Sequence, residues 1–104
     1  MNLSDKIELG VSETSIDENL NEVSQLRWID LGKCLITPNS SASRTRGNDG
    51  KEYIYSYEII MRKPKTNIPK ENDMIHFVKK DGTIDKTCRV SGFVTLRNWM
   101  KIWV

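Results

Sequence analysis

Asp81-Gly82 stands between two runs that alternate apolar and polar residues, Met74 to Lys79 (MIHFVK) and Ile84 to Ser91 (IDKTCRVS). An Asp-Gly pair supplies the backbone that a two-residue hairpin turn demands, and alternation at period two is the signature of a strand with one covered face. In the first run Ile75 and Phe77 share a face; in the second, Ile84, Cys88 and Val90 recur opposite Asp85, Thr87, Arg89 and Ser91. These residues commit the last third of the chain to antiparallel pairing. Asn72, ahead of the first run, suits a left-handed backbone. After the second, Gly92 permits a bend, Arg97-Asn98 a turn, and Trp99 to Val104 a final strand. That segment is expected to be structural, either held between neighbouring strands or covered by another chain.

The same period extends upstream. Leu26 to Thr37 (LRWIDLGKCLIT) reads as a strand closed by Pro38, with a bulge at Gly32. Tyr53, Tyr55, Tyr57, Ile59 and Met61 alternate with Ile54, Ser56, Glu58, Ile60 and Arg62, which predicts one long strand with an aromatic face, ended near Pro64. Between these strands lies NSSASRTRGNDG, Asn39 to Gly50, a long polar loop without a large apolar side chain. Its two bases, Arg44 and Arg46, with Lys51 beyond, are candidate contacts to phosphate or to a partner's acidic edge.

Charge is divided along the chain. Residues 1–24 hold six acids (Asp5, Glu8, Glu13, Asp17, Glu18, Glu22) against Lys6, while residues 25–104 hold 15 bases against 8 acids. This split suggests an arm that lies on a basic surface, its own or a neighbouring subunit's, or else a solvated terminus. Within the arm, Ile7, Leu9 and Val11 alternate as a short strand. Ser15 and Glu18 have capping-box spacing ahead of Ile16, Leu20 and Val23, which predicts a short helix from Ile16 to Ser24. The expected fold is therefore mainly β: a small antiparallel β-barrel or sandwich of SH3/OB-like type over residues 25–104, preceded by an acidic N-terminal arm with a short helix over 1–24, and interrupted by the loop 39–50.

Composition removes several function classes. The 104 residues are 38% hydrophobic and 29% charged, a soluble composition with a thin core. No run is long and apolar enough for a membrane helix, and MNLSDKIELG lacks the form of a signal peptide, so the chain is expected to stay in a cytoplasm with Cys34 and Cys88 as reduced, buried thiols. No glycine-rich phosphate loop, HExxH, CxxC or EF-hand pattern occurs. The lone His76 shares a strand face with Met74 and Val78 and has no nucleophile or acid pair beside it, so it reads as a wall or interface residue. Neither catalysis nor a cofactor nor a metal is expected.

A polar loop after the first strand, the run GKEYIYSYEIIM, a proline turn before NDMIHF, the Asp-Gly hairpin, and VSGF followed by KIWV together resemble the small head-closure proteins (stoppers, or head-tail connectors) of tailed bacteriophages over residues 26–104. The resemblance implies a small β-barrel subunit of a homo-oligomeric ring, a dodecamer in that family. It implies a place in the virion neck, at the head-tail interface, after assembly in the bacterial cytoplasm. There the ring would join the portal or portal adaptor to tail proteins and retain packaged DNA. By position, Asn39 to Gly50 would line the channel. Tyr53, Tyr55, Tyr57, Trp99 and Trp103 are candidate subunit-interface residues, since tyrosine and tryptophan offer a large apolar body with a polar tip.

A rival reading uses the same residues differently. Arg44, Arg46 and Lys51 with Tyr53, Tyr55 and Tyr57 would form a stacking platform for nucleic acid on an OB or SH3-like barrel. Glu52 and Glu58 on the tyrosine strand favour protein contact over strand tracking. A small regulatory domain that holds a host enzyme is a third possibility left open by composition.

Overall fold

The computed structural model describes residues 3–39, 44–46 and 52–104. Among these the regular structure is all strand: β1 (Asp5–Ile16), β2 (Glu22–Pro38), β3 (Arg44–Arg46), β4 (Glu52–Ile54), β5 (Tyr57–Arg62), β6 (Met74–Val78), β7 (Ile84–Arg89), β8 (Gly92–Thr95) and β9 (Trp99–Trp103). Seven of them form one antiparallel sheet in the order β7-β6-β1-β2-β5-β9-β8, and β3 pairs with β4 separately. The mainly-β, barrel-like expectation holds.

The sheet has to curl. Laid flat at a strand spacing of about 4.8 Å, the two edges of a seven-stranded sheet stand about 29 Å apart. Here the edge strands β7 and β8 are joined by Val90 and Ser91 alone, and three Cα steps span at most about 11 Å. The link bonds to both sides: Val90 N donates to Asp73 O and Val90 O accepts from Asn72 N, beside β6, while Ser91 N donates to Trp103 O at the end of β9. Asn72 has φ 73°, the left-handed conformation its short amide side chain tolerates.

Inside the curl, alternate residues meet. Ile7 and Leu9 of β1, Cys34 of β2, Ile59 and Met61 of β5, Ile75 and Phe77 of β6, Met100 and Ile102 of β9, with Val90 and Val104, form one buried cluster. No polar or charged side chain is buried among the described residues. Gly32 has φ 86°, and the β1–β2 register slips there: Ile7 faces Gly32 and Glu8 faces Asp30, leaving Leu31 as the extra residue of a bulge. The hairpin at Asp81-Gly82 forms, but its loop has three residues, Lys80 to Gly82, and not two: Lys79 N donates to Thr83 O, Gly82 (φ 88°) donates to Lys79 O, and Asp81 Oδ1 accepts from Thr83 N and Oγ1. The segment Gly92–Thr95, where the sequence predicts only a bend, pairs with β9 as an additional strand.

The N-terminal helix is not formed. Ile16 ends β1, Leu20 lies in a tight turn and Val23 is in β2, so the three apolar residues at helical spacing belong to a long hairpin with pairing from Asp5↔Cys34 to Ile16↔Glu22. Turn chemistry outcompetes the capping box: Asp17 Oδ1 accepts from Asn19 N and Asn21 N, both at 2.9 Å, while Leu20 N donates to Asp17 O and Asp17 N to Asn21 O. Nor are residues 1–24 an appendage to a barrel that begins at 25. β1 is a central strand, and its Ile7 and Leu9 are core residues.

Replacing Ile7 by alanine is therefore expected to destabilise the chain by about 2–5 kcal/mol, out of the 5–15 kcal/mol typical of a domain this size, read from the urea midpoint. The two cysteines are free thiols, Cys34 buried and Cys88 half-buried. Burial, reinforced by the Asp5 carboxylate, pushes the Cys34 thiol from 9.0 up to about 12. Its neutral form is thus favoured by the fold, and stability should fall as pH rises from 9.0 toward 12. Cys34→Ala is expected to remove part of that fall, and alkylation of Cys34 at pH 8 should become fast only after unfolding.

Candidate functional site

Two features of the surface stand at opposite ends of β1. At its start a groove of about 560 Å³ opens between Asp5 and Lys6, the end of β2 (Ile36, Pro38), Tyr57 of β5, Phe77 and Val78 of β6, and Lys79, Lys80, Asp85 and Lys86 around the Asp-Gly hairpin. Its floor is apolar and aromatic. The Tyr57 and Phe77 rings meet edge to face with centroids 5.3 Å apart. Lys86 Nζ lies 4.7 Å from the centre of the Tyr57 ring and donates a hydrogen bond to the Tyr57 hydroxyl, which raises the pKa of the ammonium. The rim carries Lys6, Lys79, Lys80 and Lys86, all exposed, against Asp5 and Asp85. Asp5 Oδ2 is engaged by Ile36 N at 2.9 Å, so the unengaged charge of the rim is mostly positive.

At the other end of β1 the sheet narrows to a ribbon. β6 pairs with β1 only over Lys6–Gly10 and β5 pairs with β2 only from Cys34, so Val11 to Ile16 and Glu22 to Arg27 have each other and no third strand among the described residues. The ribbon presents Ile16, Leu20, Val23 and Leu26 at 68%, 84%, 40% and 46% exposure. Its charge is acidic: Glu13, Asp17, Glu18 and Glu22 are answered by Arg27, whose Nε lies 2.8 Å from Glu13 Oε1. At the base of the ribbon Trp28 crosses β1 over Gly10, where a Cβ would come within 3.1 Å of the indole, and stacks on His76 at 3.3 Å between ring centres. His76 Nδ1 stands 3.3 Å from Glu8 Oε1. This histidine is a wall residue of the outer face, packed between an indole and a carboxylate.

The residues singled out from the sequence are dispersed. Arg44 and Arg46 lie in β3 and Tyr53 in β4, with Thr45 opposite Tyr53 and Arg46 opposite Glu52; Lys51 lies outside the described residues. The loop expected over 39–50 thus contains a short strand. The expected single tyrosine strand is broken between β4 and β5, because Ser56 N and Tyr57 N both donate to Val104 O, at 2.7 and 3.1 Å. Two residues against one make a bulge, and a bulge reverses which side chains face which way. Tyr57 consequently lines the groove while Tyr55 lies beside Trp103, ring centres 6.3 Å apart. No glycine or proline marks Ser56, so the sequence carried no signal of this break.

Trp103 is buried on the face of β9 opposite Met100 and Ile102, outside the main core cluster, and its Nε1 donates to Glu58 Oε2 at 3.0 Å. Trp99 is half-buried, with the Arg62 guanidinium 5.2 Å above its ring. The groove itself was missed. Lys79 and Lys80 precede the Asp-Gly pair as ordinary turn neighbours, and nothing in the sequence says that Lys6, Tyr57 and Lys86 converge on them.

Among the described residues no set of histidine, cysteine or carboxylate side chains is arranged to hold a metal, and no helix is long and apolar enough to cross a membrane. Comparison with family models, with curated protein sequences and with solved structures returns no match. Trp103→Ala is expected to cost about 3–5 kcal/mol by leaving a cavity and an unpaired Glu58, whereas Trp103→Phe should cost less; paired urea titrations followed by circular dichroism separate the two.

Proposed function

We propose that the chain is a structural subunit of a homo-oligomeric ring in the neck of a tailed bacteriophage, of the head-closure or stopper type, set between the portal or portal adaptor and the tail and retaining packaged DNA. Such a subunit works by contact rather than by catalysis. The observation that carries the reading is the two-stranded ribbon. An isolated β-ribbon is marginal in water, and this one exposes four large apolar side chains along a projecting hairpin. A neighbour supplies the burial such a ribbon lacks. The resemblance of residues 26–104 to head-closure proteins supplies the kind of assembly and its place in the virion.

The nucleic-acid reading draws less support from the same geometry. Successive bases need successive free aromatic faces. Tyr57 is occupied by Phe77 and Lys86, and Tyr55 lies beside Trp103.

Light scattering across a concentration series, with negative-stain electron microscopy of the largest species, tests the proposal. Closed rings are expected; a monomer at every concentration counts against it. Within a ring, replacing Arg44 and Arg46 by serine should leave assembly intact and make filled particles leak DNA, with a shallower dependence of retention on salt, as loss of phosphate contacts predicts.

A further inference from the structure

We infer that the acidic, apolar tip of the β1–β2 ribbon in one copy docks into the lysine-rimmed groove of the next copy, making a head-to-tail contact between identical chains. The inference rests on the ring-subunit reading and names the surfaces that would build the ring.

Charge pairs the two features. The tip carries Asp17, Glu18 and Glu22 with no base between Val11 and Leu26, and the groove rim carries Lys6, Lys79, Lys80 and Lys86. Apolar character pairs them as well. Among the described residues Ile16 and Leu20 are the two most exposed large apolar residues, and the groove floor offers Ile36, Pro38 and Phe77. A volume of about 560 Å³ falls in the range of built binding sites.

Geometry selects a second copy as the occupant. Asp5 lines the groove and Ile16 ends the same strand, so eleven residue steps of about 3.3 Å hold the tip about 36 Å from its own groove. β1 is pinned along its first half between β6 and β2, which prevents it from folding back. A tip that fits this groove therefore reaches only a neighbour's. The contact joins two different surfaces, so it is heterologous, and repetition gives a ring where the rotation closes and a filament where it does not. Lysines at the rim steer the approach and make it salt-dependent, while Ile16 and Leu20 bury apolar area at the centre.

Complementary charge reversal in the full-length chain tests this. One variant carries Glu18→Lys and Glu22→Lys, leaving Asp17 to hold the turn; the other carries Lys79→Glu, Lys80→Glu and Lys86→Glu. All five positions are exposed, and circular dichroism checks that each variant is folded. Alone, each is expected to self-associate at least about tenfold more weakly than the original chain in sedimentation velocity at low salt. Mixed in equal amounts they should assemble again, because each basic tip meets an acidic groove and each acidic tip meets an unaltered one. Leu20→Ser should weaken association of the original chain without changing its salt dependence.

Folded variants that assemble as well as the original chain, or a mixture that fails to recover, overturn the docking contact while leaving a ring built on other surfaces. An original chain that never associates overturns the contact and the ring reading together.

Discussion

Everything else in this fold depends on the two residues that join its edge strands. Val90 and Ser91 are too short a span for a flat seven-stranded sheet, so β7 and β8 are drawn toward each other and the inward side chains of β1, β5, β6 and β9 converge on one small core. The link is anchored by backbone bonds to Asn72 and Asp73 on one side and Trp103 on the other. A modest apolar content thus suffices, because the curl lets a single layer cover itself. The same curl brings Lys86 of β7 over Tyr57 of β5, and with it creates the groove.

What was legible in the sequence is what local chemistry decides. Gly82, Asn72 and Gly32 each announce a backbone conformation, and each adopts it. Alternation located the segments containing β2, β5, β6, β7 and β9, and the Ile7 to Val11 part of β1, because a strand with one buried face must repeat at period two. The errors have physical causes too. Ile16, Leu20 and Val23 satisfy a helical period by coincidence, and the Asp17 carboxylate captures two backbone N–H groups that a helix would have used otherwise. Three tyrosines at even spacing were read as one face, but the Val104 carbonyl, 48 residues beyond Ser56 in the chain, takes both Ser56 N and Tyr57 N and inverts the pattern. The acidic charge of the first 24 residues was visible; that half of them belong to the core-bearing strand was not, since Ile7 and Leu9 are an ordinary alternating pair until their neighbours are known.

The groove illustrates the same limit for function. Its residues come from the N-terminal end of β1, the C-terminal ends of β2 and β6, the start of β5 and the β6–β7 hairpin. They fall in five short stretches spread along the sequence, at 4–6, 36–38, 57, 77–80 and 85–86. A constellation assembled by curl leaves no spacing to recognise, whereas metal motifs and phosphate loops do. The ribbon was half-legible: its charge could be counted, and its projection beyond the sheet depended on where β5 and β6 stop pairing.

Leu20 draws these threads to one position. Its φ of 63° is a backbone state that costs a branched or bulky residue about 1–2 kcal/mol and costs glycine almost nothing. At a turn 84% exposed to solvent, the free subunit gains no compensating burial from the leucine. The tip is thus a place where the interests of the lone chain and of the proposed assembly diverge. Glycine would make the better monomer and leucine the better handle, so any search for thermostable variants of the isolated chain will be drawn to erase the side chain that the proposed contact would bury.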